Sequence, residues 1–247
     1  MAKQIQDAYI VAATRTPVGK APRGVLKYAR PDDMLAHVLK SALAQAPGLD
    51  PSVIDDVVVG CAMPEAEQGM NVARIGLLLA GFPNNVSGVT LNRFCSSGLQ
   101  AVATAADRIR LGEADVMIGA GTESMSMIPM GGNKIVANEQ FFTKDENIGI
   151  AYGMGITAEK VAEQWKVSRE AQDDFATESH RRALAAIEKG EFKQEITPYT
   201  LNEHVPDFEH HNIVTRSKVI AIDEGPRAGT TREVLAKLIR PSRQTDR

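Results

Sequence analysis

A cysteine at the predicted start of a helix is the residue in this sequence best placed for covalent chemistry. Cys95 lies in the segment LNRFCSSG, residues 91–98, between an apolar run that predicts a strand and an alanine-rich stretch that predicts a helix. Unpaired backbone N–H groups and the positive end of the helix dipole favour a thiolate at such a place. A lone cysteine beside a helix is more often a small buried hydrophobe, so the local residues leave both interpretations open.

The residues that follow Cys95 are small, which limits how far the helix surface projects. Ser96, Ser97, Gly98 and Ala101 keep the first turns slim. Another backbone or a thin ligand can therefore approach this helix closely.

The elements that must position Cys95 alternate between strands and helices. Apolar runs predict buried strands, and stretches with apolar residues at helical spacing predict the helices between them. The predicted strands are residues 8–13, 57–60, 86–92 and 115–120, and the predicted helices are 31–46, 71–80 and 96–111. This alternation predicts an α/β fold over residues 1–121, with a mostly parallel sheet between layers of helices.

The texture of the sequence changes after Gly121. Residues 124–147 are rich in Gly, Met and polar side chains and predict a long loop. Helices are predicted at 156–165 and 168–189, the second with Ser168 as its N-cap and Gly190 as its end. Residues 191–223 read as irregular, apart from a strand-like piece at 218–222. Residues 122–247 are thus expected to form a region of helices and long loops outside the α/β core.

Composition excludes several classes of function. The chain has 28 Lys and Arg against 31 Asp and Glu, a net charge of −3, so it offers no positive field for nucleic acid or an acidic membrane. Cys61 and Cys95 are too isolated for a disulfide framework or a zinc site, and Cys61 is expected in the core. We also expect no membrane insertion, no secretory signal and a cytoplasmic location.

Two weaker patterns suggest a metal or a nucleotide cofactor, but neither is persuasive. His204–His211 contains acids and histidines, yet such polar stretches are usually solvated. Gly119-Ala120-Gly121 has no third glycine at the dinucleotide-binding position. We expect neither a metal nor a cofactor.

The segment NRFCSSG at 92–98 resembles the nucleophile motif of the thiolases, the acetyl-CoA acyltransferases. Further segments match this family in the same order along the chain. These are residues 13–19, 119–126, 154–159, 168–176 and 223–227. The chain is therefore identified as similar to an N-terminal portion of a thiolase.

The resemblance implies a layered thiolase-like fold, with residues 1–121 as the core of the N-terminal half-domain and 122–247 as an inserted loop domain that clamps CoA. It implies thiolytic cleavage of a 3-ketoacyl-CoA, or the reverse condensation, through an acyl-Cys95 intermediate in fatty-acid metabolism. By the same resemblance, Met154 lies beside the acyl and pantetheine end of CoA, and Arg227 touches its adenine nucleotide end. Family members are homodimers or homotetramers, and residues 124–134 resemble their tetramer-contact region.

Departures from the family keep two alternatives open. Gly153 replaces a His of several biosynthetic members, which favours broader 3-ketoacyl substrates over the alternative, an acetoacetyl-CoA thiolase. The family's Gly-His-Pro histidine, its Asn-Glu-Ala-type segment and its second cysteine are not found. A non-catalytic, CoA-binding or oligomerising module is therefore the other alternative. From about residue 239 the sequence leaves the family pattern, which suggests a truncation or an altered reading frame.

Overall fold

The computed structural model describes residues 5–238, and its contacts divide the chain into two compact units. The first contains the described residues up to Asn133 together with Phe192–Gly225. The second contains Lys134–Glu191 together with the described residues from Pro226 onward. These compact units do not coincide with the predicted domains, 1–121 and 122–247. That division follows from the family resemblance and stays a prediction. The predicted atypical tail from 239 lies outside the described residues.

The first unit is built on a parallel sheet of three strands in the order β2-β1-β3. These strands are β1 (Asp56–Gly60), β2 (Ser87–Leu91) and β3 (Met117–Gly121), and the helices that alternate with them are α1 (Pro31–Ala44), α2 (Val72–Leu79) and α3 (Ser97–Arg110). In the register, Val58 pairs with Val89 on one side and with Gly119 on the other. The predicted α/β architecture with a parallel sheet is confirmed.

The core of this unit lies against the central strand. Val57, Val58 and Val59 are buried on both faces of the sheet, as a run of β-branched residues predicts. Leu35 and Leu39 of α1 are buried in the same cluster as Val57 and Val59. Each such side chain stabilises the fold by about 1.5–3 kcal/mol through burial. The sheet is therefore a rigid platform for the loops that follow its strands.

The predicted strand at residues 8–13 is wrong. Tyr9, Ile10 and Val11 are 75%, 79% and 78% exposed, and only Arg15 beyond them forms an isolated bridge, to Ile196. The segment instead lines a mostly apolar cavity of about 680 Å³, which β3 also lines. An apolar run indicates that a segment tends to pair and become buried, but a strand also needs a neighbour to pair with. Within the described part of the chain, no strand pairs with residues 8–13.

The prediction of an irregular 191–223 stretch is also wrong for most of its length, because most of it forms a β-hairpin; the strand-like piece predicted at 218–222 overlaps the end of its second strand. Strands β4 (Tyr199–Asp207) and β5 (Asn212–Ile220) pair antiparallel along their whole length. Nearly every residue of β5 is exposed, so the hairpin carries little of the apolar alternation that marks a half-buried strand. Leu201 and Ile220 bury against Leu26 and Ala29, which fixes one end of the hairpin.

Two acidic residues after the hairpin hold the N-terminal segment. Asp223 forms a bidentate pair with Arg15, at 2.8 and 2.9 Å, and also accepts the Val18 N–H at 2.8 Å. Glu224 accepts from the N–H groups of Lys20 and Val25. The Arg15 guanidinium holds the pKa of Asp223 below its usual range, although partial burial opposes this. Residues 15–25 are thereby joined to a segment about 200 positions away.

The second unit is helical, as expected. It contains α4 (Met154–Gln164), α5 (Arg169–Lys189) and α6 (Arg232–Ala236), with short 3₁₀ turns at Glu139–Thr143 and Asp145–Ala151 in the predicted long loop. Ser168 Oγ accepts from the Ala171 N–H at 3.1 Å, and Gly190 ends α5 at φ 72°. Both predicted helix ends are therefore confirmed. Within residues 5–238, no helix combines the length and apolar character that crossing a bilayer requires.

Candidate active site

Cys95 lies in the loop that joins β2 to α3. A 3₁₀ turn, Phe94–Ser96, leads directly into the helix, and the Cys95 thiol is free and exposed. Phe94 adopts the left-handed region at φ 47°, which is uncommon for a residue with a bulky side chain. The predicted strand, cysteine and helix order is thus confirmed, and the exposed thiol contradicts the alternative of a buried hydrophobe.

Side-chain hydrogen bonds pin the backbone on both sides of Phe94. Asn92 Oδ1 accepts from the Phe94 N–H at 2.8 Å, and Ser97 Oγ donates to the Phe94 carbonyl at 2.6 Å. Ser97 Oγ also accepts from the Arg93 N–H at 2.9 Å. The amide of Cys95 itself makes no backbone hydrogen bond to any described residue. The loop therefore presents a thiol and a free N–H together at the positive end of α3.

The close approach that small residues predicted near Cys95 is made by the protein itself. A Cβ added to Gly60, at the end of β1, would lie 2.5 Å from Gly98 N and from the carbonyl oxygen of Ser97. Gly60 thus lets the first turn of α3 rest directly on the central strand. The position of Cys95 depends on this backbone contact.

The second cysteine is placed as the sequence predicted. Cys61 follows β1, is buried, and belongs to the core cluster around the sheet. Burial, and next the negative charge of Glu123, raises the pKa of Cys61 to about 12. Cys61 is therefore a protonated core residue at neutral pH and no rival nucleophile.

The histidine-containing segment 204–211 lies on the exposed hairpin. His204 Nδ1 lies 3.0 Å from Thr215 Oγ1, and His210 Nδ1 lies 2.9 Å from Asp207. No group of three or more His, Cys, Asp or Glu side chains suited to hold a metal ion occurs within residues 5–238. Within the part of the chain that the structure describes, no hydrogen bond joins Cys95 to a histidine.

Met154 and Arg227 both lie in the second unit, whereas Cys95 lies in the first. Met154 is the first residue of α4 and its side chain is exposed. Arg227 is exposed too, and its backbone N–H donates to His180 Nδ1 at 3.0 Å. Their roles toward CoA stay predictions.

Sequence reasoning missed three polar residues that organise the site: Asn92, Gln68 and Glu123. Asn92 stands within the recognised motif, but its type alone does not reveal which backbone groups it bonds. Gln68 and Glu123 lie in separate turns, and their proximity arises only from the fold. Gln68 is fully buried, and a buried glutamine needs hydrogen-bond partners. This signal marks Gln68 only once its burial is known from the structure.

Comparison with known proteins decides the family. The family model described as "Thiolase, N-terminal domain" matches residues 8–244. The chain belongs to the thiolase family. Among curated thiolases it is 44% identical to a 3-ketoacyl-CoA thiolase of Bacillus subtilis, over 98% of this chain and 61% of the relative. It is 40% identical to a beta-ketoadipyl-CoA thiolase of Pseudomonas aeruginosa, over 94% of this chain and 59% of the relative.

A solved structure shares the fold of this chain. The acetyl-CoA acetyltransferase of Bacillus anthracis superposes with a TM-score of 0.78 at 34% identity, covering 96% of this chain and 59% of that one. The predicted thiolase-like fold is confirmed. The chain spans about 60% of the length of these relatives.

Proposed function

We propose that this thiolase-family chain carries the acyl-accepting nucleophile of an acetyl-CoA C-acyltransferase. The observation that carries the proposal is an exposed Cys95 with a free backbone N–H in the 3₁₀ turn that leads into α3. A thioester exchange needs a soft nucleophile and a donor for the developing oxyanion. Cys95 offers both from one residue.

In the degradative direction, the Cys95 thiolate attacks the keto carbon of a 3-ketoacyl-CoA. The bond between the keto carbon and the neighbouring carbon breaks, and its electron pair leaves with acetyl-CoA, which takes up a proton. The shortened acyl group remains as a thioester on Cys95. The thiol of a second CoA then attacks this thioester and releases a shortened acyl-CoA together with the Cys95 thiol. No cofactor takes part, since CoA and acyl-CoA are substrates.

The names of the relatives support 3-ketoacyl-CoA substrates. Curated relatives from Bacillus, Arabidopsis and Cronobacter are named 3-ketoacyl-CoA thiolases, whereas the solved Bacillus anthracis structure is named an acetyl-CoA acetyltransferase. Acetoacetyl-CoA is therefore the second substrate candidate, and relative rates on short and medium 3-ketoacyl-CoAs distinguish the two. A cytoplasmic location and a homodimer or homotetramer are part of the same proposal.

Intact mass after incubation with acetyl-CoA tests the nucleophile. We expect the chain to gain one acetyl group as the Cys95 sulfur displaces the CoA thiol. A Cys61→Ser variant should gain it as well, because that thiol is buried and protonated. A Cys95→Ser variant should not. An increment that survives in Cys95→Ser, or no increment in the wild type, overturns the proposal.

One observation favours a non-catalytic module instead. Within the described residues, no histidine hydrogen-bonds to Cys95, and a thiol nucleophile is normally activated by a base. If the mass does not change while calorimetry still detects CoA binding, this chain is a CoA-binding module.

A further inference from the structure

We propose that Asn92 is a positioning residue for Cys95, held in place by Glu123 and Gln68 through the turn that follows β1. The inference rests on the proposed function, because the reaction it serves is acyl transfer to Cys95. All the hydrogen bonds that support this role lie within the first unit.

Asn92 uses both ends of its amide to join two backbone segments. Its Oδ1 accepts from the Phe94 N–H at 2.8 Å, and its Nδ2 donates to the Ala62 carbonyl at 2.9 Å. The first bond holds the residue directly before Cys95, and the second attaches the loop to the segment after β1. Neither bond can be made by an apolar side chain, so the residue type is required by this geometry.

The segment that Asn92 binds is itself fixed from the other side. Glu123 Oε2 accepts from the Ala62 N–H at 2.6 Å. Gln68, which is fully buried, donates to the Met63 carbonyl at 2.9 Å and to the other oxygen of Glu123. Gln68 Oε1 also accepts from the Ser124 N–H at 3.0 Å. The amide of Gln68 thus bonds to backbone on both sides.

These bonds connect the ends of all three strands to the nucleophile. Glu123 follows β3, Ala62 follows β1, and Asn92 follows β2. Phe94 in its left-handed conformation is then fixed at its N–H by Asn92 and at its carbonyl by Ser97. A residue keeps a sparsely populated backbone conformation only where its surroundings hold it there. By holding Phe94, Asn92 therefore sets the orientation of Cys95, the next residue.

The variants Asn92→Ala and Asn92→Ser test this role. The alanine removes both hydrogen bonds, whereas a serine hydroxyl can still accept from an N–H two residues on, though more weakly. We expect the saturating rate of Cys95 acetylation by acetyl-CoA to fall about 10–100-fold in Asn92→Ala, since small misplacements of reacting groups are this costly. The half-saturating acetyl-CoA concentration should not change, and Asn92→Ser should recover part of the rate.

Asn71 provides a matched control in the same unit. Its amide also bridges backbone segments, because it donates to the Gly88 carbonyl at 2.8 Å and accepts from the Arg74 N–H at 3.3 Å. Asn71→Ala should lower the melting temperature about as much as Asn92→Ala while leaving the acetylation rate unchanged. Equal rate losses in the two alanine variants would overturn the proposal, because they would reflect stability alone.

Hydrogen exchange separates this inference from the proposed function. If the wild type takes no acetyl group, the proposed function fails, and the exchange of residues 92–98 still tests the positioning. Losing the bonds of Asn92 should speed exchange there about three- to tenfold, whereas Asn71→Ala should not. Unchanged exchange in Asn92→Ala would overturn the inference.

Discussion

Replacing Gly60 by alanine should force α3 away from the sheet. The added Cβ would lie 2.5 Å from Gly98 N, about 0.9 Å closer than the 3.4 Å at which ordinary contact begins. The neighbours are backbone atoms and cannot rotate away, so the helix or the strand must move. Overpacking of this kind costs about 1–3 kcal/mol. For a chain of this size, that lowers the melting temperature by about 2–12 °C.

Circular dichroism melts and the acetyl-CoA mass assay measure the two consequences. A shift of roughly 1 Å at Cys95 should slow its acetylation about 10²-fold. Gly98→Ala is the matched control for stability, because a Cβ at Gly98 meets nothing within 4 Å. It should stabilise the chain by up to about 1 kcal/mol, since alanine restricts the unfolded chain. A Gly60→Ala variant that melts and reacts like the wild type would refute the close contact between β1 and α3.

Two further predictions concern thiol reactivity and acid stability. Iodoacetamide at pH 7 should modify Cys95 and spare Cys61, because at a pKa of about 12 only roughly one Cys61 in 10⁵ is a thiolate. Peptide mass mapping checks this, and modified Cys61 in the folded chain would contradict it. Asp223→Asn should lower the free energy of unfolding by about 1–2 kcal/mol at neutral pH. Arg15 lowers the pKa of Asp223 in the folded chain. The difference in unfolding free energy between the wild type and the variant should therefore be full above the pKa of an aspartate in the unfolded chain, about 3.9, and should be lost as the pH falls through the lower pKa of Asp223 in the folded chain. Urea unfolding across this range tests it, and a difference independent of pH would be the contrary result.

How far the sequence predicts this fold depends on whether the signal is local. The ends of α5 were predictable because Ser168 and Gly190 act within one helical turn of their own position. The strand predicted at 8–13 does not form, because pairing requires a neighbouring strand that an apolar pattern does not identify. Apart from the strand-like piece predicted at 218–222, the hairpin from Tyr199 to Ile220 was not predicted, because most of its side chains are exposed and polar.

The candidate site shows the same division. Cys95 could be found from residue type, helix start and motif, all of which are local. Asn92 and Glu123 act through the Ala62 backbone, so their role needs the three strand ends to meet. Hydrogen bonds between segments 30 to 61 positions apart leave no periodic trace in the sequence.

The pair between Arg15 and Asp223 constrains the order in which the chain can fold during synthesis. Its partners are 208 positions apart, and the first unit is interrupted by Lys134–Glu191. At about 5–20 residues per second, a ribosome needs about 10–40 s to add that length of chain. Throughout this interval residues 15–25 lack the carboxylates of Asp223 and Glu224 that hold them in the folded chain. A nascent chain that ends before residue 223 therefore cannot make the attachment between its N-terminal segment and the residues after the hairpin.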